Sequence, residues 1–232
     1  MMDKRRIIGI IPARGGSKSI PRKNIKMLVG KPLIAWTIEE AKKSKYIDRL
    51  ILSSEDDEII KVAKEWGCEV PFVRPKELAQ DDTPGIEPVI HALKTLPEKY
   101  DYVCLLQPTS PLRKVADIDG CIEKCIFNDA ESCVSVAEVN KSPYWMYSVD
   151  NLDKLKPLFP QYHQIPNRQL LPKIYNINGA IFFAAIDSLL EKKNFITENT
   201  LAYSMNELNS IDIDHEYDFS FCELLLKSNM II

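Results

Sequence analysis

Histidine is scarce in this chain, and the usual metal-binding cysteine patterns are missing. Only His91, His163 and His215 occur in 232 residues, and no Gly-x-Ser-x-Gly surrounds a serine, so an acyl-transfer triad has little to be built from. The six cysteines include no Cys-x-x-Cys and have no histidine at zinc spacing. They read as reduced, small apolar residues. An excess of one charge is also lacking: the net charge of -3 is spread over mixed-sign segments, without the broad basic field of a non-specific nucleic-acid binder, and no nucleic-acid partner is expected. No apolar run approaches the roughly 18 residues of a spanning helix, and the first residues lead into a short strand, not a secretory segment. A cytoplasmic protein with no membrane partner is the expectation. Neither the P-loop spacing nor Gly-x-Gly-x-x-Gly is present, which removes the main support for an ATPase or a dinucleotide-binding protein.

What is there is ordinary for a folded α/β chain: 45% hydrophobic and 27% charged residues, at a length near the upper end of one domain. Apolar runs of strand length at 7–11, 49–53, 69–73, 102–106, 132–138, 179–184 and 209–213 alternate with helical patterns at 33–44, 56–66, 84–96, 115–128, 186–192 and 216–228. That rhythm predicts a doubly wound, mostly parallel sheet, whose strands are covered on both faces. Residues 141–173 break the pattern, with five of the fifteen prolines and the apolar side chains Tyr144, Trp145, Met146, Leu158 and Phe159. An insert of this kind is expected to pack against a second subunit.

Directly after the first strand comes PARGGSKSIPRKN, residues 12–24. Gly15 and Gly16 allow backbone N–H groups to turn toward one anion, and Arg14, Lys18, Arg22 and Lys23 supply charge for a triphosphate at the carboxyl edge of the sheet. Near the other end, Asp212 and Asp214 stand two apart in a predicted strand and share a face. Adjacent carboxylates repel unless a cation such as Mg2+ lies between them or one takes a proton; the alternative use of Asp214 is as the cap of the last helix, with Asp212 solvated. Between these, QPTSPLR (residues 107–113) clusters an amide, two hydroxyls and a guanidinium in a turn stiffened by two prolines, suited to a polyhydroxylated ligand. Asn167-Arg168-Gln169 and YNINGA (175–180) add groups for a carboxylate and an N-acyl substituent, and Arg74 follows the third predicted strand, where a base could be read.

Together, ARGGSKSIPRKN, RPKELAQDDT, QPTSPLR, NRQLLP, YNINGAIF and DIDHEYDF resemble the acylneuraminate cytidylyltransferases, from about Arg6 to Phe219. The resemblance implies a nucleotidyltransferase fold and a reaction joining CTP to a nine-carbon acidic sugar, with pyrophosphate released and Mg2+ required. It assigns Arg14, Gly16, Ser17, Lys18, Lys23 and Asn24 to the nucleotide phosphates, and Arg74 and Ala79 to the cytosine. Gln107, Thr109, Ser110 and Arg113 fall where the family binds the sugar, together with Arg168, Gln169, Tyr175 and Asn178. Asp212 and Asp214 fall on its magnesium aspartates, and Arg14 and Lys18 join them as the catalytic set. A homodimer is implied, with the insert reaching the neighbouring active site. Ser19 departs from the glycine many members carry. N-acetylneuraminic acid or a close analogue is the expected sugar, with legionaminic or pseudaminic acid as alternatives, and a noncatalytic nucleotide-sugar sensor as the rival from another class.

Overall fold

A computed structural model describes residues 5–162, 165 and 167–228 of the chain. In chain order the strands are β1 (Ile7–Pro12), β2 (Met27–Leu28), β3 (Lys31–Pro32), β4 (Arg49–Ser53), β5 (Tyr102–Leu106), β6 (Ser132–Glu138), β7 (Tyr147–Val149), β8 (Leu155–Pro157), β9 (Tyr175–Ala185) and β10 (Leu201–Ser204). The helices are α1 (Leu33–Lys42), α2 (Asp57–Glu65), α3 (Glu87–Thr95), α4 (Val115–Phe127), α5 (Ile186–Lys192) and α6 (Glu216–Lys227). Six strands make the central sheet in the order β10-β6-β9-β5-β1-β4. All are parallel except β9, which runs antiparallel to both of its neighbours. The doubly wound, mostly parallel sheet read from the sequence is the sheet that forms.

Alternation along β1 shows how the two faces are filled. Ile7 and Ile11 join one buried cluster with residues of α1, α2 and α4, while Ile8 and Ile10 join the opposite cluster with residues of α3 and α5. Successive strand side chains point to opposite faces, so a strand covered by helices on both sides must be apolar throughout. A third cluster, including Leu28, Leu33, Ile213 and Phe219, seats α6 beside the loop that leaves β1.

Four expected elements come out differently. Residues 69–73 form only an isolated bridge from Glu69 to Ile51, because Pro71 has no N–H to continue a ladder. The helix expected from Pro84 begins at Glu87 with Pro88 in its first turn, since the Pro84 carbonyl instead closes a turn with the Glu87 N–H at 3.0 Å. The strand expected at 179–184 extends over Tyr175–Ala185. No strand forms at 209–213; a 3-10 turn covers Leu208–Ser210, and the edge strand is Leu201–Ser204. Ile211 and Ile213 alternate because both pack on the third cluster, not because they pair in a sheet.

Arg113 is the largest fully buried side chain, 1% exposed. Its guanidinium donates to the carbonyls of Gln107 (3.1 Å) and Ala180 (2.7 Å) and to the Thr37 hydroxyl (2.7 Å). Burial pushes its pKa down to about 10, still above neutrality. It pins the turn after β5 to α1 and to an outward kink of β9, where the β6 register jumps and Gly179 takes φ 75°. This buried structural role replaces the expected contact with a sugar. Arg113→Met takes the charged donor from the buried Ala180 carbonyl and Thr37 hydroxyl and leaves the Gln107 carbonyl only its 3.3 Å bond from Thr37, so stability should fall by on the order of 2–4 kcal/mol. Tm should drop by roughly 5–15 °C, and calorimetry showing a change under about 2 °C would contradict the role assigned to these bonds.

Candidate active site

The carboxyl ends of the parallel strands and the amino end of β9 meet along one edge of the sheet, where ligands of open α/β folds bind. A cavity of about 710 Å³ opens there. The loop after β1 brings Arg14, Ser17, Lys18, Lys23 and Asn24 to its wall, the segment after α2 and the Glu69 bridge brings Arg74, the turn after β5 brings Gln107 and Thr109, and the loop before α6 brings Asp212 and Asp214. Ten of the residues singled out from sequence therefore line one cavity.

The phosphate-type loop is held from beneath by two consecutive carboxylates. Asp56 caps α2 by accepting the N–H groups of Glu58 and Ile59. It also takes a two-pronged ion pair from Arg22 at 2.6 and 2.8 Å, and Glu58 adds a third contact at 2.6 Å. These partners raise the Arg22 pKa, Asp56 foremost, and the Arg22 guanidinium holds the Asp56 carboxyl below the usual range. Arg22 is thus committed to the scaffold and not to an anionic ligand, contrary to the reading of four free charges. Gly15 is also committed: its N–H donates to Glu55 at 2.8 Å, and a Cβ there would run into the Asp56 carboxylate. Gly16 behaves differently, because a Cβ there would meet only open space. A ligand can approach the backbone at that point.

The remaining charges of the loop do face the cavity. Arg14 and Lys18 share the Asp81 carboxylate at 2.8 and 2.5 Å, and Lys18 foremost, with Arg14, holds that carboxyl below the usual range. Arg14 also reaches the Ala79 carbonyl at 3.4 Å; Ala79 itself does not line the cavity, although its neighbours Leu78 and Gln80 do. Asn24 donates to the Arg14 carbonyl at 3.0 Å, and its buried Oδ1 has no partner among the described residues. Lys23 donates to the Ile213 carbonyl at 2.6 Å and lies 3.6 Å from Asp214, which ties the cationic loop to the aspartate loop.

Asp212 and Asp214 share the cavity without sharing a strand. The Ile213 N–H donates to the Thr109 carbonyl at 2.9 Å, which with Lys23 fixes the aspartate loop. Asp214 is not the helix cap; His215 is, and the Asp218 carboxylate accepts the N–H groups of Asp214 and His215. Burial first, and then the Asp214 charge, pushes the Asp212 carboxyl up, and its buried Oδ1 has no partner among the described residues. A paired, partly desolvated carboxylate set with an unsatisfied oxygen suits a hard divalent cation that keeps waters and takes further oxygens from a ligand.

Other expected residues lie elsewhere. Ser110 is buried with an unpartnered hydroxyl and does not line the cavity, and Arg113 is the structural tie described above. Asn178 lines an adjoining cavity of about 530 Å³ that shares Phe182, Asp212 and Asp214 with the first. Its amide is used internally: Oδ1 accepts from Ser135 and Ala180, and Nδ2 donates to Ser210. Gln169 lines a separate 320 Å³ hollow beside Glu138 and Ser142, Tyr175 is exposed on β9, and the Arg168 side chain lies outside the described residues. Sequence reasoning missed Glu55 and Asp81, although Asp81 stands inside a quoted motif. It also missed the apolar wall of Ile86, Phe182, Phe195 and Ile196, which has no local signal as a unit because three separate segments form it.

The cytidylyltransferase family matches the chain over residues 8–203. The chain is 37% identical to a CMP-N,N'-diacetyllegionaminic acid synthase of Legionella pneumophila, over 97% of each protein. It is 35% identical to an N-acylneuraminate cytidylyltransferase of Escherichia coli, over 93% of this chain and 51% of that protein. A solved CMP:2-keto-3-deoxy-manno-octonic acid synthetase complexed with CTP superposes with a TM-score of 0.73 over 97% of this chain and 99% of that one, at 14% identity, a likeness of fold. With its cations, its aspartate pair and its sheet edge arranged in this way, the chain belongs to the cytidylyltransferase family.

Proposed function

We propose that the protein joins CTP to a nine-carbon acidic sugar, giving the CMP-sugar and pyrophosphate. The observation that carries this reading is the single cavity in which Arg14 and Lys18 stand on one wall and the Asp212–Asp214 pair on another. The anomeric hydroxyl of the sugar attacks the α-phosphorus of CTP in line and gives up its proton to water, the bond to the bridging oxygen of the β-phosphate breaks, and pyrophosphate leaves with the electron pair. Arg14 and Lys18 release Asp81 to hold the departing phosphates, and Arg74 faces the base. When bound to Asp212 and Asp214, Mg2+ would supply charge neutralisation across the phosphate oxygens. No histidine lines the cavity among the described residues, so the chemistry rests on positioning and charge stabilisation.

Gln107 and Thr109 sit between the cations and the apolar wall of Phe182 and Phe195, an arrangement suited to hydroxyls on one side of a sugar and an acyl methyl on the other. N-acetylneuraminic, N,N'-diacetyllegionaminic and pseudaminic acids are the leading substrates, and full-length correspondence to the Legionella protein and to a pseudaminic acid cytidylyltransferase of Campylobacter jejuni favours the latter two. Pyrophosphate release with CTP and Mg2+ tests the assignment, with N-acetylneuraminic, legionaminic, pseudaminic and 3-deoxy-manno-octulosonic acids offered in parallel. One acid should give a CMP adduct by mass spectrometry far above the rest; no release with any of them supports an untested sugar or a noncatalytic sensor. Asp212→Asn and Asp214→Asn should each cut turnover by roughly a hundredfold or more, and chelation should abolish activity that added Mg2+ restores. Turnover within a few fold of the parent in both variants would remove the metal role.

The β7–β8 hairpin of the insert leaves Val149, Leu152 and Leu155 62%, 73% and 66% exposed. We place it in a homodimer, which also explains why Gln169 and Tyr175 stand away from the cavity of their own protomer. Leu152→Lys with Leu155→Lys should convert a dimer to a monomer in light scattering and depress turnover. A dimer that persists with full activity would assign the interface elsewhere. No described helix is long and apolar enough to cross a membrane, and all six cysteines are free and buried, in keeping with the reducing cytoplasm in which we place the protein.

A further inference from the structure

Glu55 lies behind the cavity and belongs to none of the sequence motifs that pointed to the site, yet both of its carboxylate oxygens are used by the site. Oε1 accepts the Gly15 N–H at 2.8 Å, and Oε2 accepts Nη2 of Arg74 at 2.5 Å. The pair is shielded, with side-chain exposures of 13% for Glu55 and 3% for Arg74. Arg74 is tied down further by its Nη2 to the Ala13 carbonyl at 3.2 Å and by its own N–H to the Ser54 carbonyl at 2.9 Å. Donors are left over: Nη2 carries both of these guanidinium bonds, neither Nη1 nor the buried Nε has a partner among the described residues, and this side chain lines the cavity.

We infer that Glu55 is a positioning residue that locks the Gly15–Gly16 loop and the Arg74 guanidinium in one register, so that the grip on the triphosphate and the choice of base depend on each other. The inference rests on the reading of the cavity as a CTP site. Glu55 matters to base choice for a chemical reason. Its charge balances that of Arg74, so the guanidinium is not drawn toward the triphosphate as a further cation and can turn its spare N–H to the base. Cytosine offers acceptors at O2 and N3, whereas uracil carries a hydrogen at N3 and sets donor against donor. Holding the loop through the same carboxylate places the phosphates at a set distance from that donor.

The test compares the parent, Glu55→Gln and Glu55→Asp in steady-state turnover with CTP and with UTP, together with calorimetric CTP binding. A glutamine presents one acceptor oxygen and an NH2 that cannot accept, so one of the two bonds is lost. In Glu55→Gln, KM and Kd for CTP should rise by roughly tenfold, the cost of a hydrogen bond to a charged group, while kcat stays within about threefold. KM for the sugar should not move, and the CTP-over-UTP preference should narrow by about fivefold or more. Glu55→Asp keeps the charge and should recover part of both effects, which a role confined to stability would not produce. If Glu55→Gln does not fold, Glu55→Asp carries the test through the same split between KM and kcat. A folded Glu55→Gln with CTP affinity and base preference within about twofold of an active parent overturns the inference alone. A parent that neither binds nor turns over CTP overturns the functional reading and this inference with it.

Discussion

The site depends on how positive charge is held at the end of β1. A loop carrying Arg14, Lys18, Arg22 and Lys23 repels itself unless anions are built in, and this chain supplies them from the neighbouring parallel strand: Glu55 and Asp56 come one residue after the end of β4, which pairs with β1. Asp56 neutralises Arg22 and caps α2; Glu55 takes a backbone N–H of the loop and neutralises Arg74. With those charges satisfied, Arg14 and Lys18 are left on the cavity wall, held for now by the exposed carboxylate of Asp81. An exposed ion pair of this kind is weak and easily exchanged for a ligand phosphate.

The opposite wall is fixed by a different means. β9 enters the sheet antiparallel between β5 and β6, so its amino end reaches the same edge as the carboxyl ends of its neighbours. Its kink at residues 178–180 is stitched by Ser135, Asn178 and Arg113. The aspartate loop is pinned to the turn after β5 and to Lys23. Both carboxylates are thereby brought to the cavity without a strand, and the desolvation that raises the Asp212 carboxyl is the same burial that leaves its Oδ1 without a partner among the described residues.

Much of this was legible in the residues. Continuous Ile/Val/Leu runs can be satisfied only by strands covered on both faces, and glycine with clustered basic residues after such a run names the sheet edge as an anion site. Those are local patterns, and β1, β4, β5, α4 and α6 follow them closely. The aspartate pair was also legible, though for a reason other than the one read: alternation of Ile211 and Ile213 came from docking on a small core and not from a ladder.

The sequence by itself determined the alternation of covered strands and helices and the family motifs, because each is a property of neighbouring residues. Only the tertiary structure decided which charges are free. Arg22 and Arg113 look like ligand-binding groups in the chain and prove to be scaffold, while Glu55 and Phe195 enter the site from segments without a motif, and Asp81 and Phe182 from motifs that did not single them out. The physical reason is that a guanidinium or carboxylate is defined by its partner. Gln107 and Ala180 lie 6 and 67 positions from Arg113, and Gly15 lies 40 from Glu55, so those partners are chosen by packing across the sheet and not by sequence spacing.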